Sequence, residues 1–134
     1  MASRFSFPSV IHPSAQIAAG VKIGNGCYFG ALCNVDPDCE IGDFCIVNNN
    51  ANISHDSILS DGCHVCGGVN IAGHGRIGRC AMVGVGGCMI DGCSVGDDAV
   101  VGAGSTVIRD IPKGCTAVGC PARIIKRVAL VEAE

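Results

Sequence analysis

Features that mark several other classes of protein are scarce or missing in this chain of 134 residues. It has no tryptophan, one tyrosine, four phenylalanines and a net charge of −3, which argues against stacking or electrostatic binding of nucleic acids. No run approaches the ~20 apolar residues of a membrane span. The first ten residues lack the charged start and apolar stretch of a secretory signal peptide. We therefore expect a cytoplasmic protein with neither a nucleic acid nor a membrane as a partner.

The most informative feature that is present is a six-residue repeat, which runs from Ile11 to Pro112 without an insertion. The residue four places after each hexad start is mostly small, as in Cys27, Ala51 and Ser105. Two coupled registers over so many hexads indicate a repeat architecture. Every hexad begins with a large apolar residue: Ile11, Ile17, Ile23, Phe29, Val35, Ile41, Val47, Ile53, Leu59, Val65, Ile71, Ile77, Val83, Met89, Val95, Val101 and Val107.

A period of six fits neither an α-helix nor a plainly alternating strand. The second position of many hexads is Gly or Asp, which tolerate turn dihedrals, so each hexad is interpreted as a short strand followed by a corner. Three hexads close a triangular coil, and coils stack as parallel strands about 4.8 Å apart. The sequence predicts one all-β domain, with a lead-in at 1–10, a parallel β-helix at 11–112 and a basic C-terminal tail or helix at 113–134.

The same register accounts for most of the eleven cysteines. A thiol at the small inward position acts as a compact hydrophobe, and neighbours six residues apart lie on different faces, where they are poorly placed to pair. A metal or redox role is the alternative, and eleven thiols fit a reducing compartment. The inward cysteines are Cys27, Cys33, Cys39, Cys45, Cys63 and Cys93, and those outside the inward register are Cys66, Cys80, Cys88, Cys115 and Cys120.

The four histidines lie outside the inward register, so we expect solvent or a neighbouring subunit to reach them. His12 has no obvious partner and is interpreted as a surface residue. His55 is followed by Asp56, and a carboxylate beside an imidazole raises its basicity and orients the ring. This suits a general base near neutral pH. His64 follows half a coil later, and His74 lies one coil plus one residue after His55.

The segment N-N-N-A-N-I-S-H-D at 48–56, continued by G-C-H-V at 62–65 and by Gly73, resembles the active-site stretch of the NeuD/PglD-type sugar O- and N-acetyltransferases of the hexapeptide-repeat superfamily. The segments G-A-G-S at 102–105, D-I-P at 110–112 and V-G-C-P-A-R at 118–123 resemble the C-terminal signature of that family. The similarity spans about residues 8–126, nearly the whole chain.

This resemblance implies a left-handed parallel β-helix, although the general rule for parallel crossovers favours the right hand. It also implies a homotrimer that uses acetyl-CoA to acetylate a hydroxyl or amine of a sugar or sugar nucleotide, with no metal cofactor. Full-length members carry an N-terminal nucleotide-binding domain. No strand followed by GxGxxG precedes the repeat here, so we expect this chain to lack that domain.

The resemblance also assigns roles to particular residues. His55 is implied to take the proton of the acceptor. A donor near the thioester would stabilise the carbonyl oxygen as it gains charge. The matching positions are, for the general base and its support, His55 and Asp56; for acceptor binding, Asn48; for the thioester end of acetyl-CoA, His64 and Gly73; and for the pantetheine path, Val85 and Ala103.

The charge distribution supports an anionic ligand near the C-terminus. Seven of the nine basic residues fall after residue 75, and Lys113, Arg123, Lys126 and Arg127 form a cluster without acidic residues. Coenzyme A carries three phosphate groups, which need a positive region on a chain with a net negative charge. Arg123 and Lys126 are therefore expected to bind acetyl-CoA, and a solvated basic tail is the alternative.

Other functions stay open at the level of sequence. A γ-class carbonic-anhydrase-like enzyme on the same prism would use three histidines to bind zinc, and His55, His64 and His74 are the candidates. That family has a H-x4-H pair, which is missing here. Cys66 is a conceivable nucleophile, but its neutral surroundings give no reason for a lowered thiol pKa. The third possibility is a non-catalytic repeat scaffold.

Overall fold

The computed structural model describes residues 5–128 and consists of short strands joined by turns. Residues 1–4 of the expected lead-in and 129–134 of the expected tail lie outside the described residues. The strands are β1 (Val10–Ile11), β2 (Gln16–Ile17), β3 (Lys22–Ile23), β4 (Tyr28–Phe29), β5 (Asn34–Val35), β6 (Glu40–Ile41), β7 (Ile46–Val47), β8 (Asn52–Ile53), β9 (Ile58–Leu59), β10 (His64–Val65), β11 (Asn70–Ile71), β12 (Arg76–Ile77), β13 (Met82–Val83), β14 (Cys88–Met89), β15 (Ser94–Val95), β16 (Val100–Val101), β17 (Thr106–Val107), β18 (Cys115–Val118) and β19 (Arg123–Arg127).

The strands form the three sheets of a triangular prism. Sheet A contains β1, β4, β7, β10, β13, β16, β18 and β19; sheet B contains β2, β5, β8, β11, β14 and β17; and sheet C contains β3, β6, β9, β12 and β15. Consecutive strands up to β17 belong to successive sheets, and each strand up to β14 pairs in parallel with the strand one coil later, as Val10 does with Tyr28. The predicted all-β parallel solenoid is confirmed.

The corners correct one part of the sequence interpretation. Positive φ angles occur at the fourth position of the hexad, as at Asp56 with φ 57° and His74 with φ 59°, whereas the second-position glycines serve the stacking of coils. A Cβ on Gly84, for example, would lie 2.7 Å from the backbone nitrogen of Ala103 in the next coil. Glycine is required there because no side chain fits between the coils.

The core is a narrow column of inward side chains, and the six inward cysteines are buried in it. Residues eighteen apart stack directly, so the Cys63 thiol lies 3.7 Å from the Cys45 sulfur and donates a hydrogen bond to it. That bond, together with burial, raises the pKa of the Cys63 thiol. Cys66 and Cys115 are buried as well, although they lie outside the inward register. The eleven cysteines are all free thiols in the structure.

The C-terminal segment is a hairpin, and residues 5–128 contain no helix, so none that could cross a membrane. β18 continues sheet A in parallel with β16, with Val100 opposite Thr116, so the winding passes residue 112 in a coil two residues shorter than the others. β19 then turns back and pairs antiparallel with β18. Of the two expectations for this segment, a tail or a helix, the described part is a tail folded as a strand.

The outer faces of the three sheets differ in chemistry, because the first residue of each two-residue strand points outward. Sheet A is mainly apolar, sheet B carries amides, and sheet C carries charges of both signs. The outward residues are Val10, Tyr28, Ile46, His64, Met82 and Val100 on sheet A; Gln16, Asn34, Asn52, Asn70, Cys88 and Thr106 on sheet B; and Lys22, Glu40, Ile58, Arg76 and Ser94 on sheet C.

Candidate active site

His55 and Asp56 form a hydrogen-bonded pair at the corner between sheets B and C, just after β8. The Nδ1 of His55 lies 2.8 Å from Asp56 Oδ2. Because a carboxylate only accepts, Nδ1 carries the proton and Nε2 is left with a free lone pair. The hydrogen bond to Asp56 raises the pKa of His55, and the negative charge of Asp56 adds to the effect. An exposed imidazole with an oriented, basic Nε2 is chemically suited to accept a proton.

Gly73 lies one coil after His55 and leaves room for the imidazole ring. A Cβ at this position would come within 2.7 Å of both Nε2 and Cε1 of His55, which is closer than such atoms approach. Any other residue at position 73 would therefore displace the ring. The sequence predicts Gly73 at the thioester end of acetyl-CoA, and the structure places it beside the nitrogen that would act as the base.

His74 belongs to the same cluster, although the sequence suggested it only as a zinc ligand of the carbonic-anhydrase-like alternative and not as a residue of the acetyltransferase site. Its Nε2 lies 3.9 Å from Asp56 Oδ2, and its ring stands edge-on to that of His55, with centroids 5.3 Å apart and an interplanar angle of 89°. Asp56 and His74 are eighteen residues apart and occupy the same corner column. This spacing was the available signal, because a distance of one full coil brings two corner side chains into contact.

Asn48, Val85 and Ala103 lie at a different corner, between sheets A and B. Asn48 follows β7, while Val85 and Ala103 follow β13 and β16. Val85 and Ala103 are one coil apart and exposed, and the backbone nitrogen of Gly104 donates to the carbonyl oxygen of Val85 at 2.8 Å. They form a smooth ledge of small or apolar side chains. The width of sheet B separates this ledge from His55 within one chain.

His64 lies on the outer face of sheet A, between Ile46 and Met82 on the adjacent strands. Its Nε2 is buried and has no hydrogen-bond partner among residues 5–128, which is uncommon for a polar atom away from water. The structure thus separates His64 from the pair formed by His55 and His74. Within a single chain the three histidines considered for zinc do not meet, whereas the donor atoms of His55, Asp56 and His74 lie within 4.8 Å of one another.

The basic residues Arg123 and Lys126 lie on β19, at the C-terminal end of sheet A. Both are exposed, opposite Val118 and Thr116 of β18. Neighbouring Arg127 donates from Nη1 to Cys115 Sγ at 3.6 Å. The basic strand therefore lies at the same end of the prism as Ala103. Cys66, the conceivable nucleophile, is buried, and burial raises the pKa of its thiol, which disfavours the reactive thiolate.

Comparison with known proteins gives consistent results. No protein-family model matches the chain. A His→Asn mutant of perosamine N-acetyltransferase from Caulobacter crescentus, solved with CoA and GDP-perosamine, is 38% identical with a TM-score of 0.90 over 91% of this chain and 58% of its own. The acetyltransferase domain of PglB from Neisseria gonorrhoeae, solved with acetyl coenzyme A, is 33% identical with a TM-score of 0.89 over 91% of this chain and 60% of its own.

Curated sequences agree over a shorter stretch. The serine acetyltransferase of Synechococcus elongatus is 39% identical over 54 residues, which are 40% of this chain and 22% of that protein. The chain thus spans less than two thirds of the length of these solved chains and of this relative. In sequence and in fold, the chain is similar to the hexapeptide-repeat sugar acetyltransferases, whose left-handed parallel β-helix its parallel solenoid matches, which confirms the resemblance that the sequence indicates.

Proposed function

We propose that this protein is an acetyl-CoA-dependent acetyltransferase that acts on a hydroxyl or amine of a sugar or sugar nucleotide, with His55 as the general base. The observation that carries this proposal is the 2.8 Å contact between His55 Nδ1 and Asp56 Oδ2. It leaves Nε2 unprotonated beside the space that Gly73 keeps open. The similarity to enzymes solved with CoA, acetyl coenzyme A and GDP-perosamine supports the donor and the acceptor class.

In the proposed reaction the acceptor attacks the thioester directly. The acceptor oxygen or nitrogen forms a bond to the acetyl carbon, and its proton passes to Nε2 of His55, while Asp56 stabilises the imidazolium. The carbonyl oxygen gains negative charge in a tetrahedral intermediate, and the carbon–sulfur bond then breaks to release CoA, whose thiolate sulfur takes up the proton that the His55 imidazolium gives back, directly or through water. Holding both reactants in line and stabilising the oxyanion supply much of the acceleration in such reactions.

His64 is proposed as the donor that stabilises the carbonyl oxygen. Its buried Nε2 lacks a hydrogen-bond partner in the described part of the chain, and the carbonyl oxygen of a bound thioester would satisfy it. His55 and His64 lie on different sheets, so one chain does not direct both at the same acetyl group. The site is therefore proposed to be shared by two copies of the chain.

A homotrimer provides this sharing. The outward residues Tyr28, Ile46, Met82 and Val100 give sheet A an apolar face that is partly exposed to solvent, and such faces are typical of interfaces. Packing sheet A of one copy against the next copy would bring His64 and the ledge of Val85 and Ala103 towards the partner's corner. A cyclic trimer closes because each copy uses the same two unlike surfaces.

The proposal is tested by measuring thiol release from acetyl-CoA in the presence of amino sugars, sugar nucleotides and serine. Release that depends on a sugar-type acceptor is the expected result, with acetylated product confirmed by mass spectrometry. Acetyl-CoA binding without release for any acceptor would favour the scaffold hypothesis. Release with serine alone would keep the donor assignment and reject the sugar acceptor.

We expect charge reversal on β19 to weaken donor binding through loss of a phosphate contact. Arg123→Glu or Lys126→Glu should raise KM for acetyl-CoA about tenfold, the size of one charge-assisted contact, and should change KM much less for the dephospho-CoA thioester. Arg79→Glu, an exposed charge reversal between sheets C and A, is the matched control. Equal increases with both donors would show that these residues do not contact the ribose phosphate.

Asp56→Asn should lower kcat by about tenfold and move the acidic limb of the kcat/KM profile to lower pH. Asp56 raises the pKa of His55, so removing its charge lets the imidazole lose its proton at a lower pH. The less basic imidazole then accepts the proton of the acceptor less effectively at pH values above this limb. Asp38→Asn is the control, because Asp38 occupies the same corner column one coil earlier with φ 64°. An unshifted limb in Asp56→Asn would contradict this role.

A further inference from the structure

The cluster of His55, Asp56 and His74 offers three potential metal ligands, and the proposed acetyl transfer does not use all three residues. One potential ligand atom from each residue lies within 4.8 Å of the others. Acetyl transfer needs the pair of His55 and Asp56, and it leaves the exposed imidazole of His74 without a role. Two imidazoles and one carboxylate on a single corner are a combination that favours first-row transition metals such as zinc over magnesium or calcium.

We propose that His55 Nδ1, Asp56 Oδ2 and His74 Nε2 bind a divalent transition metal, with Zn²⁺ as the best match, and that this metal inhibits the enzyme. The site differs from the three-histidine arrangement considered from the sequence, because Asp56 takes the place of His64. It is an inhibitory site that competes with catalysis, and the acetyl transfer itself does not require it.

The two distances from Asp56 Oδ2 to the imidazole nitrogens suit a small tetrahedral ion. Ligand atoms about 2.0–2.1 Å from zinc are separated from each other by about 3.3 Å. The observed separations from Asp56 Oδ2 are 2.8 Å to His55 Nδ1 and 3.9 Å to His74 Nε2, so they bracket the required value. Small rotations of exposed side chains bring both to it. Solvent access at the corner leaves the fourth coordination position open for water.

The backbone holds the three residues in place before any ion binds. Asp56 and His74 both adopt left-handed φ angles, which bulky residues seldom occupy. Their amide nitrogens donate to the preceding coil, from Asp56 to the carbonyl oxygen of Pro37 at 3.2 Å and from His74 to that of His55 at 3.0 Å. These backbone hydrogen bonds between coils therefore fix the spacing of the ligands, so metal binding costs little conformational entropy.

Inhibition follows from the tautomer of His55. In the metal-free pair the imidazole proton is on Nδ1, between the ring and Asp56. A metal ion at Nδ1 displaces that proton to Nε2, so the neutral ring keeps one proton and gains one metal bond. Nε2 then donates a hydrogen bond and no longer accepts the proton of the acceptor. This consequence rests on the proposed role of His55, whereas binding of the ion does not.

The binding arm of the test uses metal ions alone. Chelator-treated protein is titrated with Zn²⁺ by calorimetry and with Co²⁺ by visible absorption, in which intense sulfur charge-transfer bands would reveal binding to the exposed thiols instead. His74→Asn should weaken the nitrogen- and oxygen-ligated site at least about tenfold, since one of three protein ligands is lost. Asparagine tolerates the left-handed φ of position 74, so the backbone is preserved.

His12→Asn is the matched control, because His12 is an exposed histidine outside the cluster, and its affinity should equal that of the unmodified protein. Equal affinity in His74→Asn and the unmodified protein would overturn the site, as would a Co²⁺ spectrum dominated by thiolate ligation. Histidine ring NMR gives a second readout, in which Zn²⁺ should shift His55 and His74 and leave His12 unchanged.

The activity arm compares each protein with its own metal-free rate. Saturating Zn²⁺ should lower the unmodified enzyme's rate at least about tenfold and a chelator should restore it, whereas the same concentration should inhibit His74→Asn much less. Zn²⁺ binding without inhibition would support the metal site but contradict the proposal that the ion blocks the general base at Nε2 of His55. If no acceptor supports turnover at all, the binding arm still decides whether the metal site exists.

Discussion

His55→Ala is expected to lower kcat by about 10²–10⁴-fold, the usual contribution of a positioned general base, while the affinity for CoA stays nearly unchanged. The imidazole is exposed, so its removal costs little folding energy. The donor contacts proposed for His64 and for the ledge of Val85 and Ala103 lie elsewhere in the chain and are left intact. The measurement is steady-state kinetics for kcat and calorimetry for CoA binding.

The pH profile separates loss of the base from a structural effect. In the unmodified enzyme kcat/KM should rise through a histidine pKa that the hydrogen bond to Asp56 holds above its usual value. This limb should vanish in His55→Ala and persist in His12→Ala, which removes an exposed histidine whose Nδ1 contacts only its neighbour Ser14 among the described side chains. An active His55→Ala enzyme with an unchanged profile would assign the base to another group.

The fold was predictable because the hexad register acts on every coil. Each inward position from Phe29 onward is filled by a residue that the sequence identifies as apolar or small, and a shift of one residue would expose all of them. The end of the prism was less predictable. After Val107 the coil is shorter than eighteen residues. The pairing of β19 with β18 depends on strand contacts that the periodic pattern does not predict.

The two types of corner glycine show where a sequence pattern is ambiguous. Second-position glycines such as Gly84 were interpreted as turn residues, yet they are required by the close approach of the next coil. The left-handed fourth positions hold other glycines, such as Gly62, and also residues such as Phe44 and Asn50. Composition alone does not separate a glycine needed for its φ angle from one needed for its lack of a side chain.

The candidate site was predictable where its residues adjoin in sequence and less so where they meet across coils. His55 and Asp56 are neighbours, so their hydrogen bond could be expected. The contact of His74 with Asp56 and the position of Gly73 against the His55 ring both require the eighteen-residue offset. Cys66 was placed outside the core register but is buried. The burial of a corner side chain depends also on the neighbouring coil, which the position within the hexad does not reveal.

The separation of His55 from His64 has a consequence for the oligomer. Ile46→Asp is expected to convert the proposed trimer to monomers and to lower kcat/KM by at least about 100-fold, since a site shared by two copies loses half of its groups on dissociation. Ile46 is 37% exposed in the monomer and lies at the centre of the apolar face of sheet A. An uncompensated carboxylate buried there strongly disfavours association.

Light scattering at micromolar concentration measures the change, and Ile58→Asp is the control, because Ile58 is a half-buried outward residue of sheet C, a face that the proposed contact does not use. A trimer that persists in Ile46→Asp, or a monomeric unmodified protein, would remove this model of assembly.

Mixed trimers test the shared site without damaging the interface. His55→Ala and His64→Ala should each be nearly inactive alone. If each site takes its base from one copy and its donor from the next, random exchange of subunits between the two variants restores about a quarter of the sites. If both histidines served the same site from a single copy, mixing would restore nothing, because every copy carries one defect. Recovery of activity therefore identifies the partner copy as the source of the second histidine.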